Sequence, residues 1–226
     1  MATIAENLQV VRARIARAAH AAGREPASVT LLAVSKSHPA SLIEQARAAG
    51  QRAFGENYVQ EALQKMDALP ALEWHLIGAL QANKTRLAAE RFAWIHSLER
   101  EKIARRLSEQ RPERLEPLSV LIQVNASGEA SKSGVSFDEI EPLASEVRKL
   151  PRLRLRGLMA IPEPDAPPER YREIGDFFAR LKARLGFDTL SMGMSDDMEA
   201  AIAAGATLVR VGTAIFGQRS GQRSAA

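Results

Sequence analysis

The chain has 226 residues, of which 46% are hydrophobic and 26% are charged, a composition typical of a folded globular protein. It contains no cysteine, which excludes disulfide scaffolds, thiolate metal sites and thiol nucleophiles. The 31 basic residues exceed the 27 acidic ones by four, an excess too small to require a nucleic-acid partner, and none is expected. The N-terminus has no signal-peptide core, and no apolar run approaches the ~18 residues that span a bilayer. A soluble, cytoplasmic protein that does not contact membranes is therefore expected.

Short apolar segments alternate with amphipathic helices along the chain. The spacing of Ile4, Leu8, Val11 and Ile15 predicts a leading helix with one apolar stripe, which Gly23 is expected to end. Eight strands are predicted, at residues 29–35, 52–55, 73–78, 92–97, 118–125, 153–161, 188–193 and 207–212. Helical segments are predicted between them, at residues 39–50, 56–69, 81–90, 99–110, 137–150, 174–185 and 196–204.

This alternation is typical of parallel βαβ units. Eight such units favour an α/β fold, a single (β/α)8 TIM barrel with an extra N-terminal helix. The whole chain, residues 1–226, is then one domain, with a leading helix at 1–23 and a polar tail at 218–226. The alternative is a flavodoxin-like open sheet of five strands, in which two of the predicted strands are misassigned.

In such a barrel, the functional residues lie at the carboxyl ends of the strands. Lys36 follows the first strand and shares the parity of Leu32 and Val34, so its side chain is expected to point into the barrel mouth. Apolar surroundings would lower the pKa of its ammonium group and provide the free amine that Schiff-base chemistry requires. A solvated lysine at a strand end is the simpler interpretation of the position alone.

The loops after the seventh and eighth strands of these barrels commonly bind phosphate. Residues 193–197 and 212–214 each combine glycine with a hydroxyl residue, Ser195 or Thr213, at a helix start, where backbone N–H groups favour an anion. The alternative is plain N-capping by the two hydroxyls, and the acidic residues Asp196 and Asp197 suit that alternative better.

Arg210 shares the parity of Leu208 and Gly212, so its guanidinium is expected inside the mouth, where it needs an acceptor. A salt bridge to a neighbouring strand or a ligand atom, such as a ring nitrogen or a carboxylate, would supply one. His75 is as consistent with packing as with a ligand contact. The four histidines have no metal-ligand spacing, so no metal is expected. Trp94 is expected in the core.

Many segments, in the same order along the chain, resemble those of the YggS/PROSC-type pyridoxal phosphate homeostasis proteins, and the resemblance runs nearly end to end. The segments that carry it are 31–36 (LLAVSK), 54–61 (FGENYVQE), 74–78 (WHLIG), 81–84 (QANK), 132–135 (KSGV), 156–162 (RGLMAIP), 190–197 (LSMGMSDD) and 210–217 (RVGTAIFG). Two departures are visible: His38 stands where a second basic residue is expected, and 78–81 (GALQ) replaces a more usual Gly-Pro or Gly-His before Leu-Gln.

The resemblance implies a barrel like the N-terminal domain of alanine racemase, which is fold type III among proteins that use pyridoxal 5′-phosphate (PLP). It implies that PLP is held as a Schiff base on Lys36 and that Arg210 faces the pyridine nitrogen. By the same resemblance, the positions that bind the phosphate are Ser195, Gly212 and Thr213, with Met194 beside them. The positions that line the pyridine ring are Asn57, His75 and Met159.

The residues favour a carrier of PLP over an enzyme. An arginine at the pyridine nitrogen keeps that nitrogen unprotonated and weakens the ring as an electron sink. Racemisation also needs a second acid/base, and Tyr58 and Tyr171 are the only tyrosines. In alanine racemase, a tyrosine from a second domain supplies this acid/base. The predicted barrel has no such domain, so a monomer is expected. The resemblance points to control of PLP supply and of amino- and keto-acid balance, with apo PLP-dependent enzymes as candidate partners. The first alternative is a PLP-dependent, racemase-like enzyme of low activity, and the second is a basic barrel that binds nucleic acid or another phosphorylated ligand.

Overall fold

The computed structural model describes residues 2–126 and 133–218. Eight parallel strands form a closed barrel in the order of the sequence, and the last pairs with the first. The strands are β1 (Thr30–Val34), β2 (Ala53–Glu56), β3 (Glu73–Leu76), β4 (Trp94–Leu98), β5 (Leu118–Val124), β6 (Leu153–Ala160), β7 (Thr189–Ser191) and β8 (Leu208–Val211). The predicted (β/α)8 barrel is confirmed, and the alternative of an open five-stranded sheet is wrong.

Helices surround the barrel and alternate with its strands. They are α1 (Ile4–Ala21), α2 (Ala40–Ala48), α3 (Val59–Ala68), α4 (Thr85–Arg91), α5 (Glu101–Gln110), α6 (Ile140–Arg148), α7 (Pro168–Leu185), α8 (Met198–Ala203) and α9 (Thr213–Phe216). The predicted start of α3 is wrong by three residues. The helix begins at Val59 rather than at residue 56, because Glu56 completes β2 as a fully buried strand residue.

The leading helix α1 packs against α2, α8 and α9, where the first and last elements of the barrel meet. It begins with a capping box at Thr3, and its predicted apolar stripe is buried. The side-chain amide of Asn7 donates to the carbonyl of Ile215 in α9 (2.9 Å). The guanidinium of Arg14 donates to the carbonyl of Ser195 in the loop after β7 (3.0 Å). Helix α1 therefore contacts the loop after β7 and the short helix α9 that follows β8.

The apolar core has two parts. Inside the barrel, Leu32, Ala53 and Leu208 form a small cluster with Ile77 packed against it. The larger cluster lies between the outer faces of the strands and the surrounding helices. Trp94 was expected in this core, but it is only partly buried and stacks on the ring of His75 within the barrel, with ring centroids 5.2 Å apart. The apolar cluster inside the barrel is small, which leaves room there for polar side chains.

Strand β6 contains one irregularity. Its pairing with β5 shifts register between Val120 and Leu121, so that Leu121 lies opposite Gly157. Gly157 has a φ of 155°, and a Cβ atom there would lie 2.0 Å from the carbonyl oxygen of Thr189 in β7. Only glycine permits this approach of the two strands. The shift also sets the course of the strand's last residue, Ala160, whose carbonyl reaches the site described below.

Within residues 2–126 and 133–218, no helix is long and apolar enough to cross a membrane. The same residues contain no group of three or more acidic or histidine side chains able to hold a metal ion. Two predicted features lie outside the described residues, namely Lys132 of segment 132–135 and residues 219–226 of the polar tail.

Candidate functional site

A cavity opens at the carboxyl ends of β1, β7 and β8. Its volume is about 680 Å³, part of which is open to solvent. The residues that line it are Val34, Lys36, His38, Ile77, Met194, Ser195, Asp196, Arg210, Gly212, Thr213 and Gly217. Six of the nine residues predicted to bind a cofactor therefore share one cavity, namely Lys36, Met194, Ser195, Arg210, Gly212 and Thr213.

Lys36 lies partly buried on the loop that follows β1. The backbone on both sides of it is fixed by hydrogen bonds. The N–H of Ser35 donates to the carbonyl of Gly55 (3.0 Å), and the N–H of Ser37 donates to the carboxylate of Glu61 (2.5 Å). Ser37 has a φ of 63°, a conformation uncommon for residues other than glycine and held here by these contacts. The loop therefore presents the Lys36 side chain from a defined position.

Beneath this loop lies a buried ionic cluster of Ser35, Glu56, Glu61 and Lys65, which we call the Lys65 cluster. The ammonium of Lys65 donates to the carbonyl of Ser35 (2.8 Å) and to the carboxylates of Glu56 and Glu61 (2.7 Å each). The side chains of Lys65 and Glu56 are only 7% and 0% exposed. Burial raises the pKa of Glu56, while the bonds from Lys65 and Ser35 oppose that shift. Only the pair Glu61 and Lys65 could have been noticed from the sequence, because the two residues are four apart on a predicted helix.

Arg210 lies on β8 with its guanidinium almost fully buried at the base of the cavity. It donates to the hydroxyl and the carbonyl of Ser191 (2.9 and 2.8 Å) and to the carbonyl of Ala160 (3.1 Å). Among the described residues, no carboxylate lies within ion-pair distance of it, so the predicted alternative of a salt bridge is not observed there. Burial lowers the pKa of Arg210 to about 10, which leaves it cationic at neutral pH. An arginine has five N–H donors, so some remain available to a ligand.

The loops after β7 and β8 contact each other at the cavity. Gly193, with a φ of 97°, turns the chain out of β7, and the N–H of Ala214 donates to the hydroxyl of Ser195 (3.4 Å). The N-cap residues of helices α8 and α9 are Asp197 and Gly212, and neither caps its own helix through its side chain. Among the described residues, Ser195 and Thr213 therefore do not cap their own helices, and the Ser195 hydroxyl instead accepts from the first turn of α9.

Asn57, His75 and Met159 were predicted to line the cofactor ring, and they are not among the residues that line the cavity. Asn57 follows β2 and packs its backbone on Gly78, where a Cβ atom would lie 2.2 Å from the Asn57 carbonyl oxygen. Met159 is fully buried and pairs with Ser191 across the sheet. His75 is also buried, and both its ring nitrogens are engaged by other side chains.

A continuous series of side-chain hydrogen bonds, which we call the polar chain, crosses the barrel interior. It joins Arg210, Ser191, His96, His75 and Glu73. The Ser191 hydroxyl lies 3.0 Å from Nδ1 of His96, Nε2 of His96 lies 2.9 Å from Nδ1 of His75, and Nε2 of His75 lies 2.8 Å from Glu73. Burial lowers the pKa of both histidines, that of His96 further because His75 and Arg210 lie nearby.

Sequence reasoning did not single out Ser191, His96 or Glu73. Strand parity could have placed them inside the barrel, since Ser191 shares the parity of Gly193 and Glu73 that of His75. Parity does not say which inward side chains meet across a barrel, because that depends on the register of strands distant in sequence.

Comparison with known proteins places this arrangement in a family. The family model described as "Alanine racemase, N-terminal domain" matches residues 2–220. A pyridoxal phosphate homeostasis protein of Pseudomonas aeruginosa is 60% identical to this chain, over 97% of each chain. The structure of PipY from Synechococcus elongatus PCC7942 with PLP bound is 37% identical, with a TM-score of 0.80, and covers 95% of this chain and 100% of PipY.

An alanine racemase of Corynebacterium glutamicum shares the fold at lower similarity. It is 22% identical with a TM-score of 0.69, and the alignment covers 98% of this chain but 62% of the racemase. The match is thus to a barrel that makes up part of the larger enzyme. Together with the closed eight-stranded barrel and the lysine at its mouth, these similarities show that the chain belongs to the alanine racemase N-terminal domain family, among the pyridoxal phosphate homeostasis proteins.

Proposed function

We propose that this protein binds PLP in the cavity, covalently through the amine of Lys36, and stores and supplies it without transforming amino acids. The observation that carries the proposal is that Lys36, Arg210, Ser195 and Thr213 line one cavity. Bound PLP supplies an aldehyde that condenses with amines and a ring that withdraws electrons. The names of the homologues and the PLP held by PipY support the same ligand.

The donors in the cavity match the chemical groups of PLP. The Lys36 amine suits the aldehyde, and the hydroxyls of Ser195 and Thr213 suit the phosphate together with backbone N–H groups at Gly212. A Cβ atom at position 212 would lie 3.1 Å from the carbonyl of β1's last residue, so glycine also keeps this wall of the cavity open. The acidic residue in the lining, Asp196, is exposed, so solvent screens its charge.

Arg210 supports binding without turnover. An arginine only donates hydrogen bonds, so a ring nitrogen facing it serves as an acceptor and stays unprotonated. An unprotonated ring is the weaker electron sink, and PLP enzymes that act on amino acids depend on that sink. The guanidinium is the only buried cation in the cavity lining as described, and its pKa of about 10 keeps it charged at neutral pH.

The two tyrosines also support a carrier. Neither Tyr58 nor Tyr171 is among the residues that line the cavity. The Tyr171 hydroxyl donates to Asp197 (2.8 Å), and burial and that carboxylate raise its pKa. A racemase needs an acid/base on each face of its substrate, and neither tyrosine is placed or poised for that role. We propose that the protein acts as a cytoplasmic monomer that passes PLP to apo forms of PLP-dependent enzymes.

The covalent anchor is tested by borohydride reduction of the PLP-loaded protein followed by peptide mass mapping. We expect visible absorbance that is lost on reduction, with the adduct on the peptide containing Lys36. The Lys36→Ala variant should lose the absorbance, whereas Lys182→Ala, at an exposed position of α7, should keep it. A wild-type protein that stays colourless with PLP, or that carries its adduct mainly on another lysine, would overturn the proposal.

The absence of turnover is tested by exchange of the α-proton of alanine and serine in deuterated water. We expect the PLP-loaded protein to exchange no faster than free PLP at the same concentration. Exchange above that rate that disappears in Lys36→Ala would instead establish the racemase-like alternative.

A further inference from the structure

We propose that the polar chain is a one-way series of hydrogen bonds that positions Arg210 for PLP, with Ser191, His96 and His75 as positioning residues and Glu73 as the terminal charge. The role of Arg210 toward PLP rests on the proposed function. The direction of hydrogen bonding along the polar chain does not rest on the proposed function, because it follows from which atoms can donate and which can accept.

The direction is fixed at its cavity end. A guanidinium has donors and no acceptor, so the Ser191 hydroxyl oxygen accepts from Arg210. The single hydroxyl proton of Ser191 is then free to be donated to Nδ1 of His96, 3.0 Å away. A neutral imidazole carries one proton, so His96 must hold it on Nε2 and donate it to Nδ1 of His75. His75 in turn holds its proton on Nε2.

The direction is equally fixed at the other end. Glu73 begins β3, and its side chain is 52% exposed at the amino ends of the strands, away from the cavity. An ionised carboxylate only accepts, so it takes the Nε2 proton of His75. That bond lowers the pKa of Glu73, and the nearby Arg156 acts in the same direction. Arg156 itself pairs with Asp188 (2.8 Å). Both ends therefore require the same tautomer at each histidine, with the proton on Nε2.

This arrangement explains how a cation is held in the cavity while its donors stay available. A carboxylate bound directly to Arg210 would occupy the N–H groups that face the ligand. The polar chain instead ends on a carboxylate three side chains away, and Ser191 takes up only one donor through its hydroxyl. The carboxylate of Asp197 raises the pKa of Arg210, against the larger lowering effect of burial.

The tautomers can be tested without PLP. Long-range ¹H–¹⁵N spectra of the unloaded protein should show His75 and His96 neutral at neutral pH, each protonated on Nε2. A proton on Nδ1 of either residue, or a doubly protonated ring, would overturn the direction of the chain. Ser191→Ala should leave the carbonyl acceptor of Arg210 in place and give mixed tautomers at His96.

The positioning role is tested by PLP affinity and by the visible spectrum of the loaded protein. We expect Ser191→Ala and Glu73→Gln to bind PLP about tenfold more weakly and to shift the pH dependence of its absorbance. Glu116→Gln, at an exposed position before β5, is the matched control and should change neither. If the wild type binds PLP and the tautomers are as stated, but both variants match the control, the positioning role is wrong. Failure of the wild type to bind PLP would instead contradict the proposed function.

Discussion

Replacing Lys65 with methionine should lower the free energy of unfolding by about 3–5 kcal/mol, because it leaves the Glu56 carboxylate buried without its cation. Glu56 is fully buried and Lys65 nearly so, which distinguishes this pair from the ion pairs on the surface. The substitution also removes the bond to the Ser35 carbonyl, and with it a support of the loop that carries Lys36. We therefore expect weaker PLP binding along with the loss of stability, measured by urea unfolding with and without PLP.

The size of this effect should depend on pH. Burial already raises the pKa of Glu56 in the folded protein, and loss of Lys65 removes an interaction that lowers it, so the pKa rises further. The loss of stability should therefore be small below the raised pKa of Glu56 in the folded wild type, where Glu56 is protonated in both proteins, and should grow as the pH rises above that pKa. Lys149→Met is the matched control.

Lys149 pairs with Glu146 at 2.6 Å, but its side chain is 64% exposed, and its loss should cost less than about 1 kcal/mol. Combining Glu56→Gln with Lys65→Met should restore part of the stability, since the buried charge is then gone. A loss in Lys65→Met no larger than that in Lys149→Met would contradict the importance of the Lys65 cluster.

Replacing Gly157 with alanine should destabilise the protein by about 3 kcal/mol or more. The new Cβ atom would lie 2.0 Å from the Thr189 carbonyl oxygen, and the φ of 155° disfavours any side chain. Strands β6 and β7 would have to separate, which would move the Ala160 carbonyl that Arg210 contacts. Denaturant unfolding should report the destabilisation, and PLP titration of the variant should show weaker binding.

Gly186→Ala is the control that separates the steric cost of Gly157→Ala from the cost of its unfavourable backbone conformation. Gly186 ends α7 with a φ of 68°, and nothing lies within 4 Å of a Cβ atom placed there. Its substitution should cost about 1–2 kcal/mol from backbone strain alone and leave PLP binding unchanged. Equal losses in the two variants would mean that β6 relaxes around the added methyl group and that the close approach is not a constraint.

The barrel could be predicted from sequence because each of its strands is recognisable locally. Strand β5 is the clearest case, since all seven residues of Leu118–Val124 are buried and all but two are aliphatic. Strands buried on both faces give such runs, whereas the intervening helices show apolar residues at helical spacing. Glu56 shows the limit of this reasoning. A charged residue beside a predicted helix indicates a helix start, and only the position of Lys65 explains why it lies buried at a strand end.

Those parts of the candidate site could be predicted in which the position of a residue along its strand alone determines where its side chain points. Lys36 and Arg210 follow the parity of their strands, and the structure brings both to one cavity. Their roles toward PLP stay proposals. His75 was predicted through resemblance to line the cofactor ring, yet it lies within the polar chain, because its bonding depends on His96 and Glu73. Such contacts arise from the stagger of strands around the closed barrel, which no local pattern encodes.

The pairing of β8 with β1 determines when the protein can first hold a ligand. One wall of the cavity comes from residues 34–38 and another from residues 194–217, so the cavity is absent until the two ends of the barrel meet. Bringing segments so far apart in sequence together costs the entropy of closing a long loop. Ligand binding therefore requires the closed barrel, and a barrel in which β8 is not paired with β1 lacks the cavity that would bind PLP. Bound ligand should accordingly stabilise the protein against global opening rather than against local fraying.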